Sequence, residues 1–304
     1  MSALETQVVQ SGVVDSRVGK HGFQWGTFLR HVLLIFFLVV VLLPVYVLLV
    51  TSFKGITEAQ PARAWLLPSG WPWEWTLENW KGAWSGLPGI PAVGPAMGRT
   101  LLLVIPSSII SAMLGSMNGF VLSRWRFPHA NLVFTFLLFG MFIPYQAVMV
   151  PLYKLVMWLD IPSGIPTLIL LHVVYGIPIT TLIFRNYYES VPSELIEASR
   201  VDGAGMMRTY WSVVLPISVP SFVVVLIWQF TSAWNDFLFA VFFASSPSQG
   251  PVTIALRNLA QGAQLTNYGA SMAGALLASL PTLVVYIALG KYFIGGLMAG
   301  SVKG

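Results

Sequence analysis

Few residues in this chain have the chemistry to act on another molecule. Of its 304 residues, 16 are Lys or Arg, 11 are Asp or Glu and 4 are His. The densest polar group lies in EASRVDGAGMMRTYWSVVLP, residues 197–216, which sets Glu197, Arg200, Asp202 and Arg208 around Gly203 and Gly205 between two apolar runs. That stretch is longer than a simple connector of about two to six residues, so its charges suit docking onto a partner. The bland reading is a solvated charged loop. Asp236 is the second residue of this kind, because an ionisable side chain inside an apolar run is costly and marks a functional position by default. It has two readings, lining a path or capping the outer end of its helix, and Gln229, Trp234 and Asn235 share them. His172 stands alone in its apolar run, and Asp236 has no partner in its own stretch. The chain has no Cys, no HExxH and no GxxxxGK[ST] to cradle ATP phosphates. Convergent catalytic groups and metal ligands are therefore not evident.

The elements that must position these residues are membrane helices. The chain is 56% hydrophobic and only 9% charged, against roughly one-quarter charged residues in an ordinary soluble domain. Apolar runs at 32–53, 100–123, 130–153, 161–184, 216–243 and 268–290 are each long enough to cross a bilayer, which takes about 20 residues. An all-α polytopic membrane protein with six transmembrane helices is the expectation. The first run is too long for the core of a signal peptide and should stay as an anchor. The net charge of +5 is scattered between the runs, forms no basic stripe and gives no reason to expect nucleic acid.

Loop charges set the expected orientation. Arg124 and Arg126 face a single Lys154, and Arg185, Arg200 and Arg208 face a single Arg257, which puts both termini and the 197–216 stretch in the cytoplasm. The organisation that follows has a cytoplasmic tail at 1–29, then a first span with a Trp-rich extracytoplasmic loop at 30–98. A domain of membrane helices at 99–290 contains the polar cytoplasmic segment 186–215, and a cytoplasmic tail fills 291–304. The loop tryptophans read as interfacial anchors or as a docking surface. Gly115 and Gly119, spaced as GxxxG, allow close packing of the second span. Pro106, Pro144, Pro166, Pro178 and Pro281 permit kinks.

Within the polar segment, Ser193 reads as an N-cap and Glu194 as a first-turn acid of a short helix that ends at Asp202-Gly203, where glycine allows a left-handed turn. Met207, Tyr210, Trp211 and Val214 recur at helical spacing, so a second, amphipathic helix should run to Pro216.

These residues resemble a known signature. Glu197-Ala198-Ser199, three residues, Gly203, nine residues, then Val213-x-Leu215-Pro216 is similar to the EAA motif of permease subunits of bacterial ATP-binding-cassette importers. Ser199 replaces the usual second Ala and Val213 the usual Ile. Asp202-Gly203-Ala204 is the form usual in carbohydrate importers. WNDFLF at 234–239 and the ending GLMAGSVKG extend the likeness to the smaller permease of maltose-type importers. LLFGMFIPYQ and HVVYGIP look closest to the glucose/mannose branch.

The resemblance implies the type I importer permease architecture in the bacterial cytoplasmic (inner) membrane. It implies a homologous second permease, two copies of an ATPase that bind ATP and Mg, and an extracytoplasmic sugar-binding protein, with no cofactor in this chain. Residues 197–204 would be the coupling helix, with Leu215 and Pro216 closing the motif. Gln249 and Gln264, in the 244–268 loop, would touch the binding protein, and a tail with Gly300 and Lys303 would reach the ATPase. Two alternatives stay open: a permease of this architecture for a non-sugar solute, and a self-sufficient secondary transporter, which would more often show inverted repeats and interrupted helices.

Overall fold

The computed structural model describes residues 25–125, 127–246 and 248–299, and among these every regular element is helical. The residues divide into two units at Val45/Tyr46. The first unit is the greater part of α1 (Trp25–Ser52), an apolar helix without a charged residue beyond Arg30 and His31.

The second unit begins with the end of α1 and a segment from Phe53 to Ala92 that contains α2 (Glu78–Ser85). Its folding follows from one buried cation. The Lys54 ammonium is buried and donates to the carbonyls of Arg63 and Ala64, and the Asn79 amide donates to Ser52 O at 2.9 Å and Lys54 O at 2.7 Å. Burial lowers the Lys54 pKa, while nearby Glu58 offsets this in part. Trp80 packs against the core whereas Trp65 and Trp71 are exposed, so the tryptophans of this segment divide between packing and surface.

Two long helices form the frame. They are α3 (Val93–Arg124) and α6 (Ile165–Ser190), packed along each other. Their close approach has a sequence cause. A Cβ on Gly115 would lie 2.2 Å from Thr180 Oγ1 and 2.8 Å from its backbone, and one on Gly119 would lie 2.8 Å from the Arg185 backbone nitrogen. Thr180 also donates to Ser111 O at 3.1 Å across the contact. The GxxxG spacing is thus an α3–α6 interface, as small residues in membrane helices commonly provide.

The other expected spans are less simple. The run at 130–153 is two helices, α4 (Ala130–Phe142) and α5 (Tyr145–Trp158), bent by 99°. Pro144 explains the break: it lacks an N–H and drives Ile143 out of helical geometry, to ψ 118°. Pro106, Pro178 and Pro281, in contrast, remain inside continuous helices. The run expected at 216–243 is also divided. After α7 (Ser193–Val201) come α8 (Met206–Thr209), a π turn over Tyr210–Val214 and α9 (Leu215–Ile217), then α10 (Val219–Trp234) leaves at 79°. α10 stops at Trp234, and a separate α11 (Leu238–Phe243) follows. Among the described residues four helices are long and apolar enough to span a membrane, or six when each bent pair counts as one. Pro144 marks the break at 143–144 in the sequence, whereas nothing in the sequence announces the one at 235–237.

The 244–268 segment is not a loop throughout. α12 (Val252–Thr266) fills most of it and packs on α3 and α13 (Tyr268–Ala299) through Ala255 and Leu259. α13 continues beyond the expected end at 290 and takes in the first residues of the C-terminal stretch. One apolar cluster joins α3, α5, α6, α10, α12 and α13 at the α12 end of the bundle, and a second joins α3, α6, α7 and the π turn at the opposite end.

Candidate functional site

The polar segment forms two helices joined by a tight turn. α7 starts at Ser193, so Pro192 and not Ser193 occupies the cap position, and Glu194 lies in the first turn. Proline has no side-chain acceptor, and Ser193 is one residue too late to cap. Asp202 ends the helix, its N–H meeting Ala198 O at 3.0 Å. Gly203 has φ +76°, and Ala204 N–H reaches back to Ser199 O at 2.9 Å, so the turn closes as a left-handed glycine C-cap. Around Gly203 a Cβ would meet nothing within 4 Å of this chain. The positive φ, not crowding within the chain, is what calls for glycine.

Glu197, Ala198, Asp202 and Pro216 are exposed, and Ala204 and Leu215 are half-buried. Glu197 lines a cleft of about 700 Å³ with Arg124, Trp125 and Arg200, whose guanidinium lies 5.0 Å from the Trp125 ring. Ser199 faces inward. Its hydroxyl lies 2.9 Å from Thr209 Oγ1, so the residue standing for the usual alanine ties α7 to α8. In the second helix, Tyr210 and Val214 are buried but Met207 and Trp211 are exposed, which splits the expected apolar face. The π turn is the reason, since one extra residue per turn shifts side chains around the axis.

A buried hydroxyl network links this lever to the spans. Ser116 Oγ on α3 lies 2.6 Å from Tyr188 Oη on α6 and 2.9 Å from Tyr210 Oη in the π turn. Ser218 Oγ donates to Tyr188 Oη at 3.1 Å, and Arg124 donates to the Tyr188 carbonyl through Nε at 2.8 Å. Sequence reasoning named Tyr210 and Arg124 in other roles but missed the network. Ser116 and Tyr210 are 94 positions apart, and no local pattern distinguishes them from ordinary membrane hydroxyls.

The second polar centre lies toward the other end of α6. His172 Nε2 is 3.6 Å from Asp236 Oδ2, so the two residues that look isolated in sequence face each other. Both are mostly buried, with side-chain exposures of 6% and 12%. Asp236 also accepts long hydrogen bonds from Phe239 N at 3.5 Å and Ala240 N at 3.3 Å, which starts α11 after the break. Asp236 thus holds the start of α11, not the outer end of α10, and it also lines a cavity of about 590 Å³. Gln229 and Asn235 line the same cavity. The Gln229 amide donates to His172 O at 2.9 Å, across a contact with Gly176 and Ser111 that leaves no room for a Cβ. Trp234 does not join them. Its indole N–H donates to Ala278 O at 2.9 Å and its ring stacks on Phe230, which makes it a packing residue between α10 and α13. Gln249 is exposed and accepts from Ser245 at 3.1 Å. The side chain of Gln264, and Gly300 and Lys303 entirely, lie outside the described residues.

A bundle of apolar, partly broken helices with a polar cavity within it and a glycine-turned lever at one end defines a membrane permease. The same arrangement of helices is found in a solved bacterial ABC transporter that imports the acidic polysaccharide alginate, with a TM-score of 0.69 at 19% identity over 88% of this chain and 96% of that one. The family described as "Binding-protein-dependent transport system inner membrane component" matches residues 107–296, and the chain belongs to it. It is similar to a xylose/arabinose import permease of Haloferax volcanii, 35% identical over 292 residues, covering 88% of this chain and 91% of the relative. A melibiose/raffinose/stachyose import permease of Bacillus subtilis is 30% identical, covering 86% and 91%. A probable ABC transporter permease of Pyrococcus horikoshii is 48% identical over 166 residues, which span 55% of this chain and 60% of that relative. The fold is that of type I ABC importer permeases.

Proposed function

We propose that this chain is a sugar-importing permease subunit that converts ATP hydrolysis by a partner ATPase into alternating access. Residues 197–204 are the coupling helix, with Glu197 offered to the ATPase and the Gly203 turn setting the angle to the second helix. The observation that carries this reading is the continuity of polar contacts from lever to span. Ser199 holds Thr209, and Tyr210 in the adjoining π turn is held through Ser116 to Tyr188 on α6. A push on α7 is thereby delivered to α3 and α6 as a rigid displacement, the kind of movement by which alternating-access transporters rock. Sugar is the substrate class because two of the relatives named above are sugar import permeases and Asp202-Gly203-Ala204 has the carbohydrate-importer form.

The partners are a homologous second permease, two copies of the ATPase that bind ATP and Mg, an extracytoplasmic sugar-binding protein and the surrounding lipid. The α7 end and both termini face the cytoplasm, in the inner membrane of a bacterium. Gln229, Asn235 and Asp236 face the translocation path. The 244–268 segment, with Gln249 and Gln264, meets the binding protein, and the tail with Gly300 and Lys303 meets the ATPase. Co-purification tests the reading directly. The tagged chain should bring down an ATPase and a second permease, and proteoliposomes holding the complex and its binding protein should take up labelled sugar only with ATP. Uptake by the chain alone, driven by an ion gradient, would establish a secondary transporter instead.

A further inference from the structure

We propose that the cavity beside the 235–237 break is a binding site within this subunit for an uncharged, hydroxyl-rich solute, with His172 and Asp236 as its polar floor. The inference rests on the permease reading and adds that this chain touches the solute itself. Three observations carry it. The cavity of about 590 Å³ falls in the range of small-molecule sites, roughly 300–1,000 Å³, and combines ring surface from Tyr145 and Trp228 with polar groups from Gln146 and Asn235. His172 is 5% exposed, lines this cavity, and its Nε2 is a buried ring nitrogen with no hydrogen-bond partner. Such an atom is costly unless a ligand or water satisfies it. Finally, the 3.6 Å between Nε2 and Asp236 Oδ2 exceeds hydrogen-bond length, and the backbone bonds to that carboxylate are long.

The pair is therefore spaced to share a third group. A solute hydroxyl meets both needs, because it can donate to the Asp236 carboxyl group while accepting from a His172 Nε2–H. An anionic solute would set its charge against Asp236. Gln229 is committed to His172 O, so it holds the floor in place between α6 and α10 and leaves solute contact to the pair.

The experiment uses the assembled complex and the absence of Cys from this chain. Gln146→Cys puts a thiol in the cavity lining, and its labelling by a small maleimide is timed with glucose, xylose, melibiose or glucuronate present. A bound solute slows labelling by the factor 1 + [L]/Kd, about tenfold at roughly nine times Kd. At least one of the neutral sugars should protect, glucuronate should not, and Asp236→Asn should abolish protection in a complex that still assembles. His172→Gln is the second variant and should do the same. No protection by any neutral sugar, equal protection by glucuronate, or protection that survives both substitutions overturns the site. Uptake is measured in parallel: protection without ATP-driven uptake would leave the site standing and remove the importer reading, while uptake without protection would do the reverse.

Discussion

Adding a single methyl group at Gly176 tests how α3, α6 and α10 are held together. A Cβ there would lie 2.4 Å from Gln229 Nε2, 2.6 Å from Ser111 Oγ and 2.8 Å from Gln229 Cδ, so the Gln229 side chain must move and release His172 O. Overpacking costs about 1–3 kcal/mol, and a lost interhelical hydrogen bond in a membrane protein about 0.6–2 kcal/mol. Alanine's better helix propensity returns about 1 kcal/mol. Gly176→Ala should thus destabilise by about 1–4 kcal/mol in total. All the obstructing atoms belong to side chains, so removing one of them should help. Gln229→Ala added to Gly176→Ala should be less damaging than the two single effects summed, by at least about 1 kcal/mol. Gly115 is the control. Its Cβ would meet the Thr180 Cβ at 2.5 Å and the Thr180 backbone carbon at 2.8 Å, atoms that Thr180→Ala leaves in place. Thr180→Ala removes only the Oγ1 contact at 2.2 Å, so that pair should show the weaker rescue. The assay is a double-mutant cycle on the purified complex, unfolded by SDS titration in mixed micelles. Additive effects at Gly176 and Gln229, or equal rescue of Gly115→Ala by Thr180→Ala, would refute the packing argument.

Three further outcomes follow from the lever and the topology. Gly203→Ala incurs the roughly 1–2 kcal/mol strain of a left-handed residue and adds a Cβ that meets nothing of this chain within 4 Å, whereas Gly203→Trp incurs the same strain plus bulk at the proposed docking turn. Uptake by the assembled Trp variant should fall well below that of the Ala variant, and equal rates would sink docking at this turn. Tyr188→Phe and Tyr210→Phe should each raise the ATP hydrolysed per sugar imported, with strong non-additivity because both hydroxyls meet at Ser116; an unchanged ratio in both variants would remove the network from coupling. A Cys at Ser246 should be labelled by an impermeant thiol reagent from outside intact cells and one at Ser193 should not, the reverse pattern contradicting the cytoplasmic placement of α7.

Much of the protein is local in its sequence. Hydropathy locates the apolar runs because each membrane helix must satisfy its own backbone and expose apolar side chains, and both needs are met within one stretch. The turn at Gly203 is equally local: a helix ended by Asp202, then a residue able to hold φ +76°. The small-residue spacing at Gly115 and Gly119 announces a close contact, although the partner, Thr180 to Arg185 on α6, comes only from the packing. Pro144 and Pro178 look alike in sequence, yet one sits at a 99° bend and the other inside a continuous helix.

What the tertiary structure decided is the meaning of the rare polar groups. His172 and Asp236 each look solitary because 64 positions separate them, and only the crossing of α6 by the broken end of α10 brings them to 3.6 Å. Trp234, next to Asp236 but one, turns the other way to Ala278, since successive residues of a helix and its break face different neighbours. Ser116, Tyr188 and Tyr210 have the same character. A buried hydroxyl must find a partner wherever the fold supplies one, and the position of that partner is a property of how helices cross, which no single stretch of the chain encodes.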